Sequence, residues 1–204
     1  MSDAAARAWV RERFGVSRET QLAVLADLVV AEAERQNLVS AATLDAFWHR
    51  HILDSAQLLR FADDSCGHWV DIGSGAGFPG LVIAILTDRP VTLVEPRRRR
   101  ADFLALAVQQ LGLAERVVVE VCRVEQVAGV AAVISARAVA SLPKLLGAAA
   151  HLSTAKTRWL LPKGRSAREE VAAAQRSWHG MFHVEQSLTD PESLIVIVEK
   201  VARR

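Results

Sequence analysis

The chain has 204 residues, of which 51% are hydrophobic and 24% charged, a composition typical of one soluble α/β domain with a well-buried core. Its formal net charge is only +2, so overall charge does not by itself indicate a nucleic-acid-binding protein. No run of about 18 uncharged apolar residues is present, which argues against a membrane span. The acidic Asp3 precedes any apolar run, which argues against a signal peptide. We therefore expect a cytoplasmic protein with no membrane partner.

Two cysteines, Cys66 and Cys122, are too few for a disulfide framework and lack the spacing of a metal site. They are predicted to be buried thiols of a cytosolic protein. We expect no metal ion in the functional site.

Residues 1–66 are predicted to form a helical extension packed on a core made by residues 67–204. Apolar side chains recur at helical spacing up to Ala33, which predicts a first helix. After a break at 40–43, a single long helix is expected, with an apolar face that reaches Ala62.

Beyond residue 67, short apolar strands alternate with amphipathic helices, the pattern of a parallel sheet covered by helices on both faces. The predicted strands are 69–72, 91–95, 117–121, 131–136, 158–161, 181–186 and 194–201. The predicted helices are 79–87, 100–111, 143–151 and 167–178. The last two strands have only a short connection, which predicts a hairpin and one antiparallel strand. This α/β architecture, a seven-stranded and mostly parallel sheet, resembles the Rossmann-like class I methyltransferases.

A glycine-rich loop follows the first predicted strand and satisfies two templates. Residues 75–80 fit the G-x-G-x-x-G dinucleotide fingerprint. Residues 73–77, with Asp71 before them, fit the loop of enzymes that use S-adenosylmethionine (AdoMet). Either ligand has a ribose, whose hydroxyl groups Glu95 can bind at the end of the second strand. Asp71 favours AdoMet, because a carboxylate suits the ammonium of a methionine moiety and repels a pyrophosphate.

Cations cluster in segments that follow the strands and are predicted to share the carboxyl edge of the sheet. There they could contact nucleic-acid phosphates, although a solvated basic face is the alternative. The candidate RNA-binding residues are Arg97, Arg98, Arg99, Arg100, Lys144, Lys163 and Arg165.

Arg137 follows the fourth strand, where methyltransferases commonly place residues that meet the methyl acceptor. Its planar cation could bind a cofactor carboxylate, a phosphate or a guanine edge, or form a structural salt bridge. Arg50 and Asp54 are four residues apart and could pair on a helix surface. Between them, His51 shares the apolar face and is interpreted as a core histidine.

Several motifs resemble one family, the small-subunit ribosomal RNA methyltransferase G family, also called glucose-inhibited division protein B. The matching segments are Asn37-Leu38, R-H-I-L-D-S at 50–55, D-I-G-S-G-A-G-F-P-G at 71–80, R-V-E at 123–125, A-R-A-V-A at 136–140 and P-K-G at 162–164. Two features depart from the family pattern, namely Pro96 after the acid and the arginine run that follows it.

The resemblance implies AdoMet-dependent methylation of guanine N7 at one position of 16S rRNA, by a protein that we expect to be monomeric. It assigns the AdoMet site to Gly73, Phe78, Val124, Glu125 and Arg137. The loop and ribose arguments add Asp71, Ser74, Gly75, Gly77 and Glu95. No catalytic residue is assigned, and the candidates for shaping the acceptor site are Arg137, His51, Arg50, Asp54 and Lys163. An NAD-dependent oxidoreductase and a non-catalytic RNA-binding module are the alternatives.

Overall fold

Seven strands form one sheet in the order β3-β2-β1-β4-β5-β7-β6. The computed structural model describes residues 1–62 and 67–204. The strands are β1 (Trp69–Ile72), β2 (Val91–Val94), β3 (Val117–Glu120), β4 (Val133–Ala136), β5 (Arg158–Lys163), β6 (Trp178–Gln186) and β7 (Leu194–Arg203). β1 to β5 pair in parallel, whereas β7 is antiparallel to both β5 and β6. The predicted sheet and its closing hairpin are confirmed.

Helices cover both faces of the sheet, because successive strand side chains point to opposite sides and both sides are apolar. In β1, Trp69 belongs to one hydrophobic cluster and Val70 to the other. The first cluster includes α1 (Asp3–Ala33), α3 (Gly80–Leu86) and α4 (Arg98–Gln110), while the second includes α5 (Leu142–Ala149) and α6 (Ala167–Ala174). No described helix is both long and apolar enough to cross a membrane.

The segment after α1 differs from the predicted long helix. It comprises a 3-10 helix (Ala41–Ala46), a π-helix (Trp48–Leu53), the short α2 (Asp54–Ala56) and a second 3-10 helix (Gln57–Arg60). Side chains compete with the regular backbone pattern here. The Asp3 carboxylate accepts hydrogen bonds from the backbone amides of Trp48 and His49 at 3.1 and 2.9 Å, and the Ser55 hydroxyl donates to the His51 carbonyl at 2.6 Å.

The helical extension packs on the sheet through the first hydrophobic cluster, to which Leu22, Leu25 and Ile52 contribute. Its predicted limit at residue 66, like the prediction for Cys66, lies outside the described residues. Cys122 is a free, half-buried thiol rather than a fully buried one.

Trp178 was assigned to the last helix from sequence but begins β6 instead. It pairs with Arg203 of β7 and lies in the second hydrophobic cluster, so packing on the sheet decides its conformation. Helix α6 accordingly ends at Ala174.

Candidate functional site

The candidate site lies at the carboxyl edge of the sheet, where β1 and β4 are neighbours. From β1 the chain continues outward through β2 to β3, and from β4 it continues in the other direction through β5. Connections diverge at such a reversal and leave a crevice, which is where open α/β sheets bind ligands.

The glycine-rich loop after β1 is fastened to the end of β2. The amides of Gly73 and Ser74 both donate to the Val94 carbonyl, at 2.7 and 3.1 Å. The Gly75 amide donates to Glu95 Oε2 at 3.0 Å. The protein's own hydrogen bonds therefore fix the loop at the end of β2.

Asp71 lies beneath this loop and is fully buried. The Ser135 hydroxyl donates to Asp71 Oδ1 at 2.6 Å, and the Gly80 amide donates to Oδ2 at 3.1 Å. Burial raises the pKa of this carboxyl to about 6, and hydrogen bonds oppose the rise. The Asp71 carboxylate faces the interior and fixes the start of α3, and its contact with a ligand ammonium stays a prediction.

Glu95 contributes a carboxylate to a cavity of about 570 Å³. Besides the Gly75 amide, the Arg97 amide donates to Glu95, at 2.9 Å to Oε1. The other walls of this first cavity include Gly73, Arg100, Val124, Glu125, Val139, Lys144 and Leu145. The volume lies within the range of small-molecule sites.

The lining of the first cavity suits a nucleoside. Each Glu95 oxygen has a second lone pair with which to accept from a ribose hydroxyl. Val124 offers an apolar surface to a base. At Gly75, where φ is 57°, a Cβ would lie 3.7 Å from the Gly73 carbonyl oxygen and 3.8 Å from Arg100 Nη1, both ordinary van der Waals distances.

A second cavity, of about 530 Å³, lies on the β4–β5–β7 side of the site. Residues 138–140 line both cavities and form a wall shared by them. Val139 packs on Gly73 so closely that a Cβ on this glycine would lie 2.6 Å from Val139 Cγ2. Gly73 is therefore required for the wall to approach the loop.

Arg137 connects the end of β4 to the R-H-I-L-D-S segment. Its Nη1 donates to Asp54 Oδ2 at 3.2 Å and to the Arg50 carbonyl at 3.1 Å, and its Nη2 donates to His51 Nδ1 at 3.1 Å. The guanidinium carbon lies 5.3 Å from the centre of the Phe78 ring, which stacks on His51. The structural salt bridge is thus present, and a contact of Arg137 with cofactor or substrate stays a prediction.

The expected pair between Arg50 and Asp54 is wrong. Arg50 Nη1 lies 3.1 Å from Asp190 Oδ2 in the hairpin loop, while Asp54 Oδ1 accepts from the Thr189 hydroxyl at 2.8 Å. Because the segment is a π-helix, residues four apart do not stack as they do on an α-helix.

His51 is a buried, neutral histidine, in agreement with its interpretation as a core residue. Burial, with the charges of Arg137 and Arg50, lowers its pKa to about 4. The Arg137 guanidinium can only donate, so His51 Nδ1 is the acceptor and Nε2 carries the proton. Nε2 donates to Thr43 Oγ1, at 3.0 Å between the two heavy atoms. Both ring nitrogens are engaged, so His51 is not positioned as a general base.

The arginines at positions 97–100 make different contacts. Arg99 and Arg100 donate to the carbonyls of Arg35 and Asn37, at 3.1 and 3.0 Å, and so tie α4 to the end of α1. Arg98 is 79% exposed and forms only an ion pair with Asp102 one turn along the helix. Arg97 is also exposed, so Arg97 and Arg98 are the members of the run most available to a partner.

The other predicted RNA-binding cations also have different environments. Lys144 is exposed at the rim of the first cavity. Arg165 is exposed and pairs with Glu192. Lys163 is mostly buried and donates to the Ala140 carbonyl at 2.7 Å and to Glu170 at 2.9 Å, and its contact with RNA stays a prediction.

Several residues of the site were missed from sequence. Glu170 accepts from both Lys163 and the Leu142 amide, and buried Gln57 bonds Asp54 and the hairpin loop. Lys163 and Glu170 lie on different elements, and Gln57 and Leu188 are distant in sequence, so the periodicity of one helix or strand does not predict these contacts.

The strand order and the paired cavities define a class I methyltransferase fold. Solved structures agree: the ribosomal protein L11 methylase of Lactobacillus delbrueckii subsp. bulgaricus has a TM-score of 0.58 at 13% identity, over 76% of this chain and 80% of that one. The M. jannaschii TYW2, solved in complex with AdoMet, has a TM-score of 0.57 at 13% identity, over 76% of each chain.

The sequence comparisons identify the family. The family model described as rRNA small subunit methyltransferase G matches residues 18–192. A relative of that name from Novosphingobium aromaticivorans is 51% identical over 97% of this chain and 88% of its own, and another from Sphingopyxis alaskensis is 50% identical over 95% and 84%. The chain belongs to the rRNA small subunit methyltransferase G family, which confirms the resemblance stated from the motifs.

Proposed function

We propose that this protein transfers a methyl group from AdoMet to N7 of one guanosine in 16S rRNA. The observation that carries the proposal is the pair of cavities on either side of residues 138–140, at the reversal point of the sheet. One cavity suits a nucleoside cofactor and the other lies where a methyl acceptor would meet it. Family membership favours this activity over an NAD-dependent oxidoreductase or a non-catalytic RNA-binding module.

The first cavity would hold AdoMet. Glu95 would bind the ribose hydroxyls, Val124 and Glu125 would lie beside the adenine, and the loop from Gly73 to Gly77 would approach through its backbone. When bound, AdoMet supplies an electrophilic methyl group on a sulfonium.

The second cavity would hold the guanine. Its N7 has an in-plane lone pair, so the acceptor needs no deprotonation, which agrees with the engagement of both nitrogens of His51. The chain contributes alignment of the reactants and exclusion of water.

The charges of the second cavity also suit this reaction. Methylation at N7 gives the base a positive charge, so an unpaired cation against it would be unfavourable. Both basic side chains that line the cavity are paired: Arg137 with Asp54 at 3.2 Å, and Lys163 with Glu170 at 2.9 Å.

The RNA would lie across the carboxyl edge of the sheet, with Arg97, Arg98 and Lys144 near its phosphates. The target guanosine must be unstacked to enter a cavity, as in a single-stranded loop. Because the proposed substrate is rRNA, we propose that the protein acts in the cytoplasm, as a monomer.

Methyl transfer from labelled AdoMet to undermethylated small subunits, or to rRNA extracted from them, tests the proposal. We expect label at N7 of one guanosine, located by cleavage of the RNA at the modified base. Label at another atom or in other RNA, or no transfer to any of these substrates, would refute it.

A further inference from the structure

The wall between the two cavities requires support from elsewhere in the molecule. It begins with Ala138, whose φ of 57° lies in the left-handed region that residues other than glycine rarely adopt. Val139 packs on Gly73 but is 44% exposed, so much of its surface has no packing partner in the protein. A backbone in this conformation persists only where neighbouring groups fix it.

One ion pair holds the far end of the wall. Lys163 Nζ, at the end of β5, donates to the Ala140 carbonyl at 2.7 Å. Glu170 Oε2, on α6, accepts from the Leu142 amide at 2.7 Å and from Lys163 at 2.9 Å. The ion pair therefore holds two backbone groups that are two residues apart: Lys163 binds the Ala140 carbonyl, and Glu170 binds the Leu142 amide.

The surroundings of Lys163 and Glu170 restrict the movement of this ion pair. The side chains of Lys163 and Glu170 are 11% and 19% exposed, so solvent screens them little. The Ser166 hydroxyl also donates to Glu170, at 3.1 Å to Oε1. A carboxylate bonded on both oxygens has little freedom to rotate.

We propose that Glu170, acting through Lys163, is a positioning residue that fixes the wall between cofactor and acceptor. The effect of Glu170 on the reaction rate rests on the proposed function, because the wall lies where the two reactants would meet. A displacement of about 1 Å at such a place can lower the rate about 100-fold.

A purely structural role makes a different prediction. Leu142 is the first residue of α5, and Ser141 before it makes no side-chain capping bond, so Glu170 also serves the helix N-terminus. If this were its only role, a substitution would lower stability and leave turnover by the folded protein unchanged.

The test compares Glu170→Gln and Lys163→Met with Glu169→Gln, which changes an exposed carboxylate on the same helix. Glu170→Gln keeps an oxygen for the Leu142 amide and loses the charge that fixes Lys163. We expect kcat to fall about 10- to 100-fold in both test variants, with KM for the rRNA substrate and the affinity for S-adenosylhomocysteine within a few-fold of wild type. Lys163→Arg keeps the charge, so its kcat should lie between those of Lys163→Met and wild type. Glu169→Gln should have the kcat of wild type.

Hydrogen exchange supplies a readout independent of turnover. The Leu142 amide should exchange faster in Lys163→Met than in wild type, although Glu170 is still present to accept from it, while amides of β1 keep their protection. Unchanged kcat in Glu170→Gln, or a loss of kcat explained by the fraction of protein unfolded, would overturn the proposal. If wild type methylates no rRNA, the proposed function fails, and the exchange of Leu142 in Lys163→Met still decides whether the ion pair is needed to hold this end of the wall.

Discussion

Replacing Asp71 by Asn should change how the stability of the protein depends on pH. The carboxyl is fully buried, and its pKa is raised from 3.8 to about 6. At a pH between these two pKa values, the carboxyl is ionised in the unfolded chain and protonated in the folded protein. The folded state therefore binds more protons, and its stability must fall as the pH rises through this window.

The magnitude follows from the shift. A change of about two pKa units corresponds to about 3 kcal/mol, all of it lost by the time the pH exceeds the folded pKa. Asp71→Asn removes the titration but also disturbs the hydrogen bonds from Ser135 and Gly80, which adds an offset that does not depend on pH.

Urea unfolding of both proteins from about pH 4 to about pH 7.5 isolates the effect. The stability of wild type minus that of Asp71→Asn should decrease by up to about 3 kcal/mol across the range. Asp27→Asn, which changes an exposed aspartate, serves as a control for the substitution itself. A stability difference between wild type and Asp71→Asn that stays constant with pH would refute the description of Asp71 as a buried, desolvated carboxyl.

Two further predictions concern the ligands. Gly75→Val should abolish binding of S-adenosylhomocysteine in calorimetry, because the valine side chain would project from the loop toward the proposed ligand, and should cost about 1–2 kcal/mol of stability, because the backbone has a φ of 57°; normal binding would show that the loop is not at the cofactor. Arg98→Ala should weaken RNA binding and reduce the slope of log K against log[salt] by about one, because this arginine is exposed on the proposed RNA face. Arg176→Ala, an exposed change at the opposite edge of the sheet, should leave that slope unchanged, and an equal effect of both substitutions would indicate non-specific attraction.

The sheet could be predicted from sequence because its signals are local. Apolar strands, helices with one apolar face and a short final connection determine the seven strands and the antiparallel hairpin. The place of Glu95 follows for the same reason, since the end of β2 must lie beside the loop after β1.

The helical segment and the polar contacts of the site could not be predicted in this way. The π-helix over residues 48–53 depends on Asp3, which is distant in sequence. Arg50 and Lys163 were expected to pair locally or face a phosphate, but their partners, Asp190 and Glu170, become neighbours only after folding. Periodicity reports which face of an element is apolar, and it carries no information about long-range ion pairs.

A structure with S-adenosylhomocysteine bound tests the central claim most directly. The ribose hydroxyls should lie within hydrogen-bond distance of the Glu95 carboxylate, the adenine should lie beside Val124, and the sulfur should face the wall at residues 138–140. A ligand bound elsewhere, or a nucleotide diphosphate in its place on the loop, would contradict the assignment of the two cavities.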